Sequence, residues 1–378
     1  MTTPSPPRKE TDEDLAEQAH PGHGIPSQDP DLAAQFALTP SETERETESA
    51  LVGGAMAAGA GAGAGLGALV GGPVGVVVGA SVGALAGALG GAAAASTVNM
   101  ETATHVVSDS DEDVRLHIDD SGGTGRAVVL IHGWPLSAQA WTPQVPVLTA
   151  AGYRVVAYDR RGFGRSAKPD SDYSYNTLAE DLLHVLDQCG LEDVTLVGFS
   201  MGGGEVARFI GRYGESRLHS VVFAAAVPPY LMQTADNPAG PLTPEAARAA
   251  RQALEQDREA FFETFTRNFF SANGVLKVSE FERSEALALC RQSAQHAALA
   301  CMDAFDTTDF RQDLKKVTVP TLVIHGDADA IVPIAGSGEL THRAIPHSQM
   351  VRVSGAPHGL NVSHAQAFND ALLAFLRL

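Results

Sequence analysis

A serine, an aspartate and a histidine fall in that order along the chain as Ser200, Asp329 and His358, each in a glycine-bearing turn behind an apolar run. Together they could perform acyl transfer. A serine hydroxyl is a weak nucleophile until an imidazole takes its proton, and the imidazole needs a carboxylate to hold its tautomer and stabilise its charge. Ser200 lies in Gly198-Phe199-Ser200-Met201-Gly202, directly after Val194-Thr195-Leu196-Val197. A strand-to-helix turn of this kind needs glycines, because a side chain at either flank would collide with the neighbouring strand and helix. The turn lifts the serine oxygen out of the sheet. His358 stands in Gly355-Ala356-Pro357-His358-Gly359, and Asp329 in Gly326-Asp327-Ala328-Asp329. Asp327 competes for the acid role; Asp329 is favoured because Asp327 can tie the turn through its own backbone. Each of the three turns alone is a common motif. Their order and their places after successive strands give them weight.

A tetrahedral intermediate also needs backbone donors for its oxyanion. Met201 follows the nucleophile at a helix N-terminus, where the dipole favours negative charge. The second donor is expected from the loop His132-Gly133-Trp134-Pro135, at Trp134, whose ring can also wall a small acyl pocket. These five residues, Ser200, Asp329, His358, Trp134 and Met201, are the candidate site. No metal-ligand spacing is visible, and no GxGxxG follows the first strand.

The site requires a scaffold that brings distant turns to one rim. Buried strands are predicted at Ala127–Ile131, Arg154–Ala157, from Val194, and at Ser220–Ala225, Thr321–His325 and Met350–Val353. Helices are predicted at Asn176–Cys189, Met201–Tyr213, near Ser337–Ala344, and at Ser363–Leu376. Strands alternating with helices imply an α/β fold with a mostly parallel sheet and helices on both faces, its loops at the strand carboxyl ends lining the active crevice. An insertion from about 228 to 312 interrupts the alternation and reads as a helical cap. Its Phe261, Phe262, Phe265, Phe269 and Phe270 recur at helical spacings and face either the pocket or, for most of them, the cap's own core.

Four segments carry a family resemblance: His132-Gly133-Trp134-Pro135-Leu136, the run from Tyr158 to Ser166, the run from Gly198 to Arg208, and Gly326-Asp327-Ala328-Asp329. They resemble the α/β-hydrolase fold, and within it the cofactor-free bacterial haloperoxidases and perhydrolases, a group that also includes esterases. The resemblance covers residues 111 to 378. It implies a triad of Ser200, Asp329 and His358 with oxyanion donors at Trp134 and Met201. It also implies an acyl-serine intermediate and no metal, haem or flavin cofactor. Water would give hydrolysis of a small ester, and hydrogen peroxide would give a peracid. Haloalkane dehalogenase and epoxide hydrolase chemistry use the same fold with an aspartate nucleophile, which Ser200 argues against. The competing reading is a catalytically inactive hydrolase-fold scaffold or assembly protein.

The remaining sequence sets the chain apart. It has 378 residues and a formal charge of −19, and residues 1–50 hold 11 acids against 3 bases. Such acidity argues against nucleic acid or anionic membrane surfaces as partners. Cys189, Cys290 and Cys301 are widely spaced and read as reduced thiols. Residues 1–48, rich in Pro, Ser, Thr, Glu and Asp, read as a disordered acidic tail with no apolar core of a signal peptide. A cytoplasmic protein is therefore the expectation. Residues 49–100 carry no charged side chain, and glycine recurs at every fourth position from Gly59 to Gly91. A stripe of that period would let a second helix approach closely, as in small-xxx-small packing. Gly71-Gly72-Pro73 divides the segment into two arms near membrane-spanning length. A lone helix in water would pay about 1 kcal/mol for each such glycine relative to alanine. The segment resembles a glycine-zipper hairpin, expected to drive homo-oligomerisation or, through residues 50–95, membrane association; a flexible Gly/Ala linker is the alternative. The domain boundaries are thus 1–48, 49–100 and 101–378.

Overall fold

The structure, a computed structural model, describes residues 114–170 and 172–378. The acidic tail and the glycine-rich segment lie outside the described residues.

Apolar runs become strands where the sequence concentrates Val, Ile and Leu. Strands β1 (His117–Asp120), β2 (Ala127–Ile131), β3 (Arg154–Asp159), β4 (Val194–Phe199), β5 (Leu218–Ala224), β8 (Thr321–Gly326) and β9 (Gln349–Val353) form one seven-stranded sheet in the order β1-β3-β2-β4-β5-β8-β9. All neighbours pair in parallel except β1, which runs antiparallel to β3. Every residue of β2, β4 and β8 is buried, as expected for central strands covered on both faces. Strand order reverses around β2, which has β3 on one side and β4 on the other. In open parallel sheets that switch point opens a crevice at the strand carboxyl ends.

The register decides which loops share that crevice. Ile131 pairs with Gly198, Phe199 with Ala224, and Gly326 with Val353. The loops after β8 and β9 therefore leave the sheet side by side.

Helices α1 (Val145–Ala150), α2 (Tyr175–Gln188), α3 (Met201–Tyr213), α9 (Gly338–Ala344), α10 (Leu360–Ser363) and α11 (Ala365–Leu376) accompany the sheet. Ser174 caps α2 by accepting from the Thr177 N–H, and α2 packs along α3. Between β5 and β8 stand α4 (Pro244–Gln256), α5 (Arg258–Phe269), the two-stranded hairpin β6 (Ser271–Ala272) and β7 (Val275–Leu276), α6 (Glu280–Arg291), α7 (Gln295–Thr307) and the single turn α8 (Arg311–Leu314). The helices have clear starts: Thr243 caps α4 with proline following, Asp257 caps α5, and Ser279 with Glu282 makes a full capping box on α6. Among the described residues no helix is long and apolar enough to cross a membrane.

Several elements differ from the sequence expectation: β5 begins at Leu218 rather than Ser220, and the expected helix Ser363–Leu376 is split, with α10 ending at Ser363 and α11 starting at Ala365. Strand β1 was not anticipated, because His117-Ile118-Asp119-Asp120 is a half-exposed edge strand with no apolar run. Helix α1 is only six residues long and carries a proline in its first turn. Strand β3 runs two residues past Ala157, so Tyr158 and Asp159 are buried strand residues rather than loop.

Candidate active site

The turn at Ser200 is built by exclusion. Ser200 has φ +54° and ψ −118°, a conformation that L residues rarely hold. A Cβ on Gly198 would meet the Gly202 carbonyl oxygen at 2.5 Å, and one on Gly202 would meet the Ile131 carbonyl oxygen at 2.5 Å. Both flanking glycines are thus required by backbone contact, the first against α3 and the second against β2. The Ser200 amide donates to the Ala224 carbonyl at 2.8 Å, and the Val227 amide donates to the Ser200 carbonyl at 3.2 Å, so β5 and its loop hold the turn from the far side.

The register delivers the other two residues. His358 Nε2 is 2.9 Å from Ser200 Oγ, and His358 Nδ1 is 2.7 Å from Asp329 Oδ2. All three side chains are buried. The second Asp329 oxygen accepts from the backbone N–H groups of Ile331 at 2.9 Å and Val332 at 2.8 Å. Burial pushes the Asp329 carboxyl up, but the charge of His358 and hydrogen bonds from His325 and His358 outweigh it and hold the group below the usual carboxylate range. Asp329 is therefore an anion facing an imidazole. The His358 ring packs against the rings of Phe199 and Phe269, with centroids 5.3 and 5.2 Å away.

Asp327 acts differently from Asp329. It accepts from the Gly355 amide at 2.6 Å and so staples the loop after β8 to the loop that carries His358. The sequence reading had it bracing its own turn. His325, which that reading did not assign, reaches Asp329 Oδ2 at 3.2 Å and the Val332 carbonyl at 2.8 Å through its Nε2. The only sequence signal for it is its position four residues before the acid, at the end of a wholly buried strand.

Met201 is the first residue of α3, so its N–H belongs to the helix-terminal donors without an intrahelical partner. The loop after β2 lies directly against the serine, and a Cβ on Gly133 would sit 3.1 Å from the Ser200 Cβ. The Trp134 indole N–H donates to the Ala298 carbonyl on α7 at 2.9 Å. Its ring meets Phe261, Phe265 and Phe305 edge-on at 6.1, 5.2 and 5.7 Å between centroids. Behind the loop, the buried Arg160 guanidinium donates to the His132 carbonyl at 2.7 Å and pairs with Glu205 of α3, which also accepts from the Tyr158 hydroxyl at 2.6 Å. Burial and the Arg160 charge keep the His132 pKa well below its ordinary value. Neutral His132 then accepts from the Arg160 amide at Nε2 and donates to the Gly133 carbonyl at Nδ1. One cation thus ties the loop bearing Trp134 to the helix that begins at Met201.

A cavity of about 240 Å³ opens onto Ser200 and His358. Its wall is apolar almost throughout, with Trp134, Phe261, Phe265 and Phe305 among the lining residues and one further carboxyl, Asp306. Of the five phenylalanines at helical spacing, Phe261 and Phe265 line this cavity, while Phe262, Phe269 and Phe270 are fully buried.

Comparison with known proteins bears on the fold that carries these residues. A family model described as the alpha/beta hydrolase fold matches residues 126–365. The chain is 40% identical over 257 residues to a non-heme chloroperoxidase from Kitasatospora aureofaciens, covering 67% of this chain and 93% of that protein. It is 36% identical over 251 residues to a bifunctional esterase/perhydrolase from Acinetobacter calcoaceticus, covering 65% and 90%. The bromoperoxidase structure from Bacillus anthracis superposes with a TM-score of 0.69 at 49% identity, covering 71% of this chain and 97% of that one. The family match spans more than half of the sequence, and the chain belongs to the α/β-hydrolase fold family.

Proposed function

We propose that this protein is a serine hydrolase of small carboxylic esters, with Ser200 as nucleophile, His358 as general base and acid, and Asp329 as the orienting anion. The observation that carries the reading is the unbroken line from Ser200 Oγ through both His358 nitrogens to Asp329, at 2.9 and 2.7 Å. His358 Nε2 takes the hydroxyl proton as Ser200 Oγ attacks the ester carbonyl. The Met201 and Trp134 N–H groups receive the developing oxyanion. Collapse releases the alcohol, protonated by His358, and leaves acyl-Ser200. Water, deprotonated by the same imidazole, then releases the carboxylic acid. Hydrogen peroxide in place of water would release a peracid, and the names of the chloroperoxidase and perhydrolase relatives support that second acceptor.

Ser200→Ala is expected to lower p-nitrophenyl acetate turnover by about 10⁴-fold or more. A purified, folded variant that kept wild-type turnover would remove Ser200 from the mechanism. Monochlorodimedone bromination with acetate and peroxide, run on the same pair of proteins, reads the peracid branch separately.

The sequence ahead of the enzyme supports a further part of the reading. The uncharged stripe of glycines in residues 49–100 is suited to close helix packing, and we assign it to self-assembly or to membrane association. On this reading residues 1–48 are a solvated acidic tail, residues 101–378 are the catalytic domain, and the cap spans about 228–312.

A further inference from the structure

Asp306 is out of place by every ordinary rule. It sits on α7, one turn after Met302 and beside Phe305, on the helix face that lines the cavity with Ser200 and His358. That face is otherwise apolar. The Asp306 side chain is 6% exposed. Among the described residues no hydrogen-bond donor or cation is paired with its carboxyl. An isolated carboxylate taken out of water costs several kcal/mol and is normally paired. Two more features oppose its charge. It lies in the last turn of α7, where the helix dipole is negative. Asp303, one turn earlier, adds a like charge, although Arg251 pairs with Asp303 at 2.6 Å. Burial, with the smaller effect of Asp303, pushes the Asp306 carboxyl up to about 7.

A buried, unpartnered carboxyl facing an open cavity is half of a recognition pair. The complementary half must be a cation, or at least a strong donor, carried by what enters the cavity. The surrounding rings favour a cation. Phe261, Phe265, Phe305 and Trp134 line the same space, and aromatic faces attract ammonium groups. The net charge of −19 adds a field that draws cations rather than anions toward the molecule. The remaining wall, Val227, Leu231, Leu242 and Ala250 among it, suits a short hydrocarbon stem.

We propose that Asp306 is a specificity residue that selects esters bearing a primary ammonium group on a short aliphatic stem. The inference rests on the serine hydrolase reading for its substrate class. The binding site itself does not depend on that reading. Asp306 takes no part in the bond changes at Ser200; it receives the charged end of the molecule whose carbonyl reaches the serine.

The test compares two p-nitrophenyl esters of matched shape, 6-aminohexanoate and heptanoate, at pH 8, each rate corrected for release without enzyme. In wild type, kcat/KM for the ammonium ester should exceed that for the neutral ester by about tenfold or more, the size expected for one desolvated charge pair. In Asp306→Asn the ratio should fall at least tenfold, through loss on the ammonium ester and gain on the neutral one. An unchanged ratio in the folded variant overturns the proposal. A binding measurement separates this outcome from failure of the hydrolase reading. Butylammonium at 10 mM should raise the melting temperature of both wild type and the Ser200→Ala variant by about 2–4 °C. It should leave Asp306→Asn unmoved, and 1-butanol should leave all three unmoved. Equal shifts in wild type and Asp306→Asn overturn the cation site. Shifts confined to proteins with Asp306, without cleavage of either ester, leave the cation site standing and sink the ester chemistry.

Discussion

At the scale of single residues, the site combines groups held in opposite electrostatic states. Asp329 is buried yet anionic, because His358, His325 and two backbone amides compensate its charge. Asp306 is buried without compensation among the described residues, and its carboxyl titrates near 7. The second case has a sign that can be checked. Its folded-state pKa lies above the ordinary carboxylate value, so the folded protein binds the proton more tightly than the unfolded chain. Stability must then fall as pH rises from about 4 to about 7, and level off above that. Asp303 is the other acid acting on the group, and it is exposed. Asp306→Asn removes the titration. Its unfolding free energy should match wild type near pH 4 and exceed it increasingly up to pH 8, by an amount on the order of 4 kcal/mol, read from denaturant titrations at each pH. A constant difference between the two proteins across that range would show that Asp306 does not change protonation on unfolding. The positions of Ser200, Asp329 and His358, which the fold brings into one hydrogen-bonded line, were legible in the sequence because each lies in a turn after an apolar run. His325 and Asp306 were not. His325 reads as one more residue of a buried strand, and Asp306 is visible only as a charge interrupting a helix stripe, whose exposure depends on where the cap settles.

At the scale of elements, the sheet was the most legible part. Strands β2 and β8, rich in Val, Ile and Leu, matched the expected ends to within a residue, and β4 began at Val194 as expected but ran two residues past the Val194–Val197 run. What lies between strands was harder, since an edge strand such as β1 has little apolar signal and a six-residue helix offers no period to read. The pairing of Arg160 with Glu205 was hidden for another reason. The two are 45 residues apart, and only the fold shows that they meet in a fully buried space between the loop after β2 and α3. Removing one partner of such a pair leaves an uncompensated charge, which costs about 3–5 kcal/mol. Glu205→Leu should accordingly lower the melting temperature sharply in a thermal scan. Esterase turnover should fall with it, because the His132 carbonyl and α3 lose their common tie. The double variant Arg160→Met/Glu205→Leu should regain much of the stability and less of the activity. A single variant as stable as wild type would show that the pair contributes nothing.

At the scale of the whole molecule, the family match accounts for residues 126–365 and leaves more than a hundred residues ahead of it. Because the family match begins at residue 126, deleting residues 1–100 should leave the ester kcat/KM within about twofold of full length, while light scattering shows a smaller particle or flotation shows lost lipid partition. Unchanged particle size and partition would return the segment to a linker. Loss of turnover would mean that the glycine-rich segment contributes to the enzyme itself.

One contact joins these scales. The Trp134 indole is anchored on the Ala298 carbonyl of α7, while the residue before it, Gly133, sits against Ser200. The cap and the loop after β2 are therefore interlocked. A cap that swings out with that bond intact would drag the tryptophan along and, through Gly133, disturb the backbone beside Ser200. On the proposed mechanism, any such opening would loosen the oxyanion donors, so cap position and serine reactivity are coupled through a single indole.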